Sequence, residues 1–412
     1  MSVGSCRFCA APLGRTFVDL GMSPLCESYL SSHQLNRMEP FYPLHVYVCE
    51  RCLLVQVQEY VDPGTLFTDY AYFSSYSDSW LQHARRYTEM AIDRFKLDAQ
   101  SLVIEVASND GYLLQYFVEK HIPVLGIEPA ANVATVARRK EVPTISVFFG
   151  QDIALGLAIA GKQADLLIGN NVLAQVPDLR DFVSGLKTIL KPGGTVTIEI
   201  PHLLRLIDGN QFDTIYHEHF SYFTLFTAEA IFAAQALTVF DVEELATHGG
   251  SLRLYARHAE DTARPVSPRV AALKAREARA GLTVVDGYTD FGERVKETKR
   301  KLLEFLITAK RAGKSIVGYG APGKGNTLLN YCGIRTDFLD YTVDRSPHKQ
   351  GKFLPGTHIP IHKPTRIRET RPDYVLILPW NLQDEIIDQH SYVLDWGGRF
   401  VVPIPEVQVF PE

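Results

Sequence analysis

One rhythm, written twice, limits what this chain can fold into more than any other feature of its 412 residues. From about residue 101, the short β-branched runs SLVIEVA, PVLGIEP, PTISVFF, ADLLIGN and GTVTIEI alternate with stretches of helical pattern. From residue 315, SIVGYG, FLDYTVD, DYVLILP and GRFVVPIP repeat the alternation. Strands separated by helix-length segments pair in parallel, with the helices covering both faces of the sheet. LTVFDVEEL and GSLRLYARH, joined only by ATHGG, add an antiparallel pair to the end of the first unit. Between the units, RVAALKAREARAGL and FGERVKETKRKLLEFLITAKRAGK carry apolar residues at three- and four-residue steps and read as connecting helices. The expected class is α/β, with two doubly wound units.

The first 60 residues follow neither pattern and hold two C-x-x-C pairs, CRFC at Cys6 and Cys9 and CERC at Cys49 and Cys52. Each pair can set two thiolates on one turn at tetrahedral spacing, and four thiolates leave no coordination position for water or substrate. A small domain built on structural Zn²⁺ is expected, although ligand spacing alone also allows iron. Cys26 and Cys332 stand apart and read as buried, inert thiols. A hydrophobic content of 46%, a net charge of -5 and a pI near 6.2 describe an ordinary globular chain without a nucleic-acid footprint. The N-terminus MSVGSCRFCA lacks a basic n-region followed by an apolar stretch, and no apolar run reaches the roughly 18 residues needed to span a bilayer. A cytoplasmic protein, with neither membrane nor nucleic acid as partner, is expected.

The segment VIEVASNDGYLL runs from a strand through a small-residue turn into a helix, a setting in which backbone amides can cradle a ligand. It lacks the glycine pattern of dinucleotide binders. Glu105 at the strand end, with Asn109, Asp110 and Gly111 in the turn, suits a cationic ligand bearing an amino acid, because carboxylates repel phosphate. S-adenosylmethionine meets that description, and Ser108, Tyr112 and Leu113 belong to the same candidate site. Glu128, ending the second strand in GIEP, is placed to accept from ribose hydroxyls. Asn170 and Asn171 end the fourth strand in GNNVLAQVPD, where they can reach the methionine end, and Gln175 faces the same edge. Five parallel strands with a terminal antiparallel pair describe the Rossmann-like methyltransferase architecture better than that of the dehydrogenases.

The C-terminal unit points elsewhere. GYGAPGKG places Gly318, Gly320 and Gly323 after a strand and before a helix, with Asp344 at the end of the next strand, which is the spacing of an NAD fingerprint. Pro322 and Lys324 are unusual in such a turn, and Lys324 suits the diphosphate of another nucleotide. Arg345, His348, Lys349 and Lys352 in DRSPHKQGKFLPG add cations at the same edge. An NAD-dependent nucleotide-sugar oxidoreductase or epimerase is the alternative reading. Finally, YHEHFSYF concentrates Tyr216, His217, Glu218, His219 and Tyr222 just past a carboxyl edge of the middle sheet, where open α/β sheets hold their ligands. Histidine is the usual general base near neutrality.

CRFC, CERC, FTDYAYFSSYSDSW, EVASNDGYLL, IYHEHFSYF, HGGSLR and GYGAPGKGNTLLN, taken in order along the whole chain, resemble the nucleotide-sugar C-methyltransferases, the family of the C-3 methyltransferases of tetronitrose biosynthesis. The resemblance implies a zinc-binding domain at residues 1–80, an S-adenosylmethionine-binding methyltransferase domain at 81–258, and a helical connector with a Rossmann-like nucleotide-sugar-binding domain at 259–412. It implies methylation of a TDP- or GDP-linked 4-keto-6-deoxy sugar at C-3, through an enolate made by a base. On the matching positions, His219 is the base and Glu218 its supporting partner, while Tyr216 and Tyr70 lie near the sugar and can donate to its developing oxyanion. Tyr222, His202, Lys324, Asn326 and Lys352 are expected on the substrate side, and His217 has no assigned role. Gln175 departs from the pattern, since the related segment often carries His there, and glutamine cannot take a proton at neutral pH.

Overall fold

The computed structural model describes residues 4–67 and 73–411, whose strands form three sheets. The N-terminal sheet is antiparallel, with β1 (Arg15–Ser23) on β2 (Tyr42–Val48) and β2 on β3 (Val55–Val57). The central sheet holds β4 (Val103–Val106), β5 (Val124–Ile127), β6 (Thr144–Ile145), β7 (Ala164–Asn170) and β8 (Leu190–Pro201), all parallel, as the five β-branched runs require. KPGG, residues 191–194, falls inside β8, where the ladder jumps from Leu190 to Thr195. β9 (Ser221–Tyr222) does not join this sheet: Val55 pairs with Tyr222 and Gln56 with Ser221, so the YHEHFSYF loop is stitched onto the N-terminal sheet. β10 (Leu237–Leu245) and β11 (Ser251–His258) close the central sheet, β11 lying antiparallel to both β10 and β8.

The resulting order, β10-β11-β8-β7-β4-β5-β6, changes direction at β4, and the crevice above that point is where such sheets bind ligands. All four residues of VIEV in β4 are buried, because helices lie on both faces. One of these helices, Asp78–Phe95, starts where the Ser77 hydroxyl accepts from the Trp80 amide, and buries Trp80, Ala84, Tyr87, Thr88 and Ala91 on one stripe. That stripe packs with Val103, Leu113 and Phe117 of the central domain.

The C-terminal sheet has the order β14-β13-β12-β15-β16-β17, made of β12 (Ile316–Tyr319), β13 (Thr342–Val343), β14 (Ile361–His362), β15 (Tyr374–Ile377), β16 (Arg399–Val402) and β17 (Gln408–Phe410). Only β17 is antiparallel. The connecting helix Phe291–Arg311 lies on the N-terminal sheet, with the Phe291 ring stacked 4.6 Å from Phe17. Val46 and Val57, Val295 and Leu302, and Leu328 and Val375 thereby share one apolar core that runs from the first sheet to the last. Each such side chain contributes about 1.5–3 kcal/mol through burial. Among the described residues no helix is long and apolar enough to cross a membrane.

Candidate active site

The turn after β4 is held in an uncommon backbone conformation, with φ of 57° at Ala107, 49° at Asn109 and 74° at Gly111. Left-handed backbone costs a residue with a Cβ about 1 kcal/mol or more, so its neighbours must hold it. The Asn109 and Ala130 amides donate to the two Glu128 carboxylate oxygens, each at 2.9 Å, and Asn109 Oδ1 accepts from the Ser74 amide at 2.9 Å. Gly111 is required for a second reason, since a Cβ there would lie 3.1 Å from Val142 Cγ2 and 3.3 Å from Ala137 Cβ.

Above this turn lies a cavity of about 480 Å³ at the carboxyl ends of β4, β5 and β7. Asn109, Tyr112, Glu128, Asn170, Asn171 and Gln175 line it, and Trp80, Ile127, Phe149 and Phe182 supply apolar wall. Asp110 Oδ1, Asn170 Oδ1 and Asn171 Oδ1 are buried acceptors with no hydrogen-bond partner among the described residues. Buried acceptors without donors are costly, and the two asparagines line the cavity, so a ligand bearing donors or positive charge completes them. Glu105 is fully buried behind the wall with Glu128, Asp110 and Glu199 acting on it, and burial pushes its carboxyl well above the usual range. A neighbouring cation returns such a group to its charged form. The ammonium, sulfonium and adenine of S-adenosylmethionine match the acceptors and the apolar wall, so the residues fit this cofactor. Ser108 and Leu113 are fully buried and shape the turn from behind, while the second Asp110 oxygen is 3.3 Å from the Lys140 ammonium.

The YHEHFSYF loop runs into β9, which packs against the turn that carries Gln175 on the wall of this cavity. His219 Nδ1 is 3.0 Å from the Thr214 carbonyl, which can only accept, so Nδ1 carries the proton and Nε2 keeps its lone pair. Burial lowers the imidazole pKa to about 4, against the Thr214 contact that raises it and with the Lys324 charge that lowers it further. The Tyr216 ring centroid is 4.1 Å from that of His219, and Tyr222 meets the imidazole edge-on at 6.3 Å. Burial raises both phenol pKa values, which keeps the hydroxyls protonated and able to donate. Glu218 Oε1 accepts from the Cys26 thiol at 3.6 Å, so this carboxylate reaches into the N-terminal domain. His217, left without a role by the sequence, is an anchor: its Nε2 is 3.2 Å from the Pro43 carbonyl and its ring stands edge-on to Tyr42 at 5.9 Å. Tyr70 lies outside the described residues.

Between cavity and loop stands a residue that the sequence did not single out. His248, in the HGG turn joining β10 to β11, has φ of 55°, with Nε2 3.1 Å from Asn171 Nδ2 and its ring 5.0 Å from Trp80. Burial lowers its pKa to about 4, and the charges of Lys324, Glu199, His219 and His83 all act on it. Its sequence signal was its place at the head of the HGGSLR motif.

The cysteine cluster is assembled as the spacing requires. All four Sγ atoms lie within 4.8 Å of one another, with Cys6–Cys52 and Cys9–Cys49 at 3.5 Å. A tetrahedron of thiolates with zinc–sulfur bonds of about 2.3 Å has edges of about 3.8 Å, so these positions fit Zn²⁺. The two knuckles share one geometry, in which the Ala10 amide donates to the Cys6 carbonyl and the Leu53 amide to the Cys49 carbonyl, at 2.9 and 2.8 Å. Gln56, on the strand that pairs with β9, donates to Cys6 Sγ at 3.2 Å. Arg7 donates to the Pro177 carbonyl at 3.0 Å, tying the cluster to the cavity wall beside Gln175.

Comparison with known proteins accords with this geometry. Residues 6–67 match a family described as "Putative zinc binding domain", residues 80–242 one described as "Methyltransferase domain", and residues 246–405 one described as "C-methyltransferase C-terminal domain". The C-methyltransferase NovU of Streptomyces niveus is 36% identical over 407 residues, covering 99% of this chain and 97% of NovU. The chain belongs to this C-methyltransferase family. It is an S-adenosylmethionine-dependent C-methyltransferase with a four-cysteine zinc domain. Among solved structures, an S-adenosylmethionine-dependent methyltransferase from Clostridium acetobutylicum is 12% identical with a TM-score of 0.36, covering 43% of this chain and 92% of that one. Magnesium protoporphyrin IX methyltransferase from Synechocystis is 14% identical with a TM-score of 0.32, covering 43% and 81%.

In this C-methyltransferase, the glycine-rich turn of the C-terminal domain is not open to a dinucleotide. Its helix, Gly323–Cys332, begins against the N-terminal domain: a Cβ on Gly323 would lie 2.8 Å from Cys26 Sγ and 3.5 Å from Glu27 Oε1. A pyrophosphate would have to displace a carboxylate already at the helix start. The Asp344 oxygens accept from the Ala321 and Ser346 amides, at 2.7 and 2.8 Å, so this side chain braces the turn. The Ala321 carbonyl accepts from Tyr29 and Lys349, and Lys349 pairs with Glu27 at 3.5 Å. The NAD reading loses its footing here.

Two expected substrate residues are tied up in packing between elements. His202 Nε2 is 2.8 Å from Glu277 Oε1, and Glu277 also accepts from the Leu225 and Phe226 amides, so His202 sits in a buried structural cluster. Asn326 donates to the Cys26 carbonyl at 2.6 Å. The loop carrying Lys352, which is half-buried, is fixed where Phe353 pairs with Leu30. Lys324, half-buried, donates to Asn381 Oδ1 at 2.7 Å and lies 4.8 Å above the Trp380 ring.

Proposed function

We propose that this C-methyltransferase methylates C-3 of a nucleotide-linked 4-keto-6-deoxy sugar. The observation that carries the reading is His219, a buried, neutral imidazole with its proton fixed on Nδ1 by Thr214, on the loop whose strand β9 packs against the cavity turn carrying Gln175. Methyl transfer to carbon needs a carbanion, and a C–H next to a ketone is the accessible source of one. His219 Nε2 takes the C-3 proton as the bonding pair moves through C-3 and C-4 onto the ketone oxygen. Tyr216, with Tyr70 from the N-terminal segment, donates to that oxygen. S-adenosylmethionine, when bound, supplies the electrophilic methyl, and the pair then returns through C-3 to form the new carbon–carbon bond and restore the ketone.

A histidine with a pKa of about 4 is a weak base in isolation. The imidazolium, however, forms together with an enolate oxygen, and in a site that excludes water each charge stabilises the other. Glu218 supports the loop from its bond with Cys26, and Tyr222 and Gln175 complete the sugar's surroundings. Asn109, Tyr112, Glu128, Asn170 and Asn171 hold the cofactor, with Glu105 and Asp110 contributing charge from behind. The test is incubation with S-adenosylmethionine and, in parallel, TDP- and GDP-linked 4-keto-6-deoxyhexoses. A mass gain of one methylene unit supports the reading and names the nucleotide; cofactor binding without product from either sugar contradicts it.

A further inference from the structure

We propose that Lys324 is a catalytic residue of the methyl transfer, its ammonium donating a hydrogen bond to the ketone oxygen as negative charge develops there. The inference rests on the enolate reading above and gives this lysine a role other than diphosphate binding. The C-terminal domain would then complete the active site as well as hold the nucleotide.

The geometry separates Lys324 from any phosphate cradle. It is the second residue of its helix, yet the start of that helix faces Cys26 and Glu27, while the ammonium donates to Asn381 Oδ1 and lies over Trp380. An ammonium has three donors, and one bond to Asn381 leaves others for a ligand. Among the described residues it forms no salt bridge. Asp213 acts on it from a distance, but that carboxylate already accepts from Trp380 Nε1 at 2.7 Å. Trp380 is wedged between two functional turns. One is the Phe212–Thr214 turn that leads into the catalytic loop; the other is the HGG turn, where a Cβ on Gly249 would lie 2.5 Å from the Trp380 ring. The cation is therefore carried on a platform fixed to both the His219 and the His248 sides of the site.

The electrostatics agree with that placement. The Lys324 charge depresses the pKa of both His219 and His248, while burial depresses that of Lys324 itself. Facing these groups are the Thr214 carbonyl, Tyr216 and Tyr222 around His219, and Asp213, Asn381 and Trp380 around the lysine. A lightly paired, half-buried cation whose charge acts on a neutral base is the arrangement that favours breaking a C–H bond into an imidazolium and an oxyanion. The lysine keeps its proton throughout: the C-3 proton goes to His219, the electron pair to the ketone oxygen, and the ammonium only donates a hydrogen bond.

The test compares wild type, Lys324→Met and Lys324→Arg for solvent deuterium exchange at C-3, for kcat and KM, and for the pH dependence of kcat/KM. Lys324→Met is expected to slow exchange and kcat together by about 100-fold, with KM and cofactor affinity nearly unchanged. Its acid limb should move to higher pH, because the cation that depresses the His219 pKa is gone; Lys324→Arg should recover part of the rate. A raised KM with exchange, kcat and acid limb unchanged would overturn the inference and return Lys324 to the diphosphate. Should Lys324→Met fail to bind S-adenosylmethionine, Asn381→Ala decides, since it releases the ammonium without changing charge. Slowed exchange at unchanged KM then supports the inference, and unaltered exchange overturns it. A wild type that neither exchanges nor methylates the keto sugar would fail the enolate reading, whereas equal exchange in wild type and Lys324→Met fails this inference alone.

Discussion

Replacing His219 with asparagine separates the roles of its two ring nitrogens. The amide can still donate to the Thr214 carbonyl, now reached from Nδ1 at 3.0 Å, but the lone pair at Nε2 is lost. Imperfect recovery of that bond would cost about 1 kcal/mol, too little to unfold the chain. Loss of a positioned general base lowers kcat by about 10²- to 10⁴-fold, equivalent to about 3–5 kcal/mol of barrier. His219 is not on the cofactor cavity wall, so affinity for S-adenosylmethionine should be unchanged. The assay is single-turnover product mass with cofactor binding by calorimetry, alongside deuterium exchange at C-3. The pH profile has a defined sign: with the imidazole pKa lowered to about 4, the base stays deprotonated well below the usual histidine range, and wild-type activity falls only as pH approaches that value. A variant retaining more than about a tenth of wild-type turnover would refute His219 as the base, since even the weakest general-base contribution exceeds that. So would a fall in cofactor affinity as large as the fall in rate.

Three further outcomes follow from the same geometry. Glu128→Ala removes the carboxylate that fixes the Asn109 and Ala130 amides at the cavity edge, and should weaken S-adenosylmethionine binding by about 10- to 100-fold in calorimetry. Unchanged binding would place the ribose elsewhere. Metal analysis should find one zinc per chain, and Cys49→Ser should lose it together with cofactor affinity, because Arg7 carries the cluster's position to Pro177 on the cavity wall; full cofactor affinity without zinc would break that link. His219 and His248 have folded pKa values near 4 against a usual 6.5, so the unfolded chain binds more protons between those values. Their contribution to stability is complete above pH 6.5 and is lost as pH falls toward 4, and calorimetric melting should show the decline between pH 7 and 5.

What the sequence disclosed depended on how local each signal was. Five parallel strands and their terminal pair were readable because burial on both faces writes continuous β-branched runs, and the cysteine site because its ligand pairs are adjacent. The candidate turn after β4 stood out for the same reason, since Glu105 to Leu113 is one continuous segment. β14 and β9 are only two residues long, and β9 gains its meaning from pairing with β3, far away in the chain. GYGAPGKG misled because its spacing records a tight turn and a close helix, which this fold needs, while Cys26 and Glu27 fill the space a pyrophosphate would take. His202 misled likewise, since its partner Glu277 lies on a helix that no local pattern connects to it. His248 was given no role although it heads HGGSLR, because its partners Asn171 and Trp80 lie far from it in the chain.

The central claim is that the methyl group is joined to carbon next to a ketone, and one measurement addresses the bond itself. The enzyme is incubated with S-adenosylmethionine bearing a ¹³C-methyl group and a nucleotide-linked 4-keto-6-deoxyhexose labelled with ¹³C at C-3, and the product is examined by NMR. A one-bond carbon–carbon coupling between the new methyl and C-3 is the predicted result. A methyl signal at the shift of an ether or amine, without that coupling, would contradict the account.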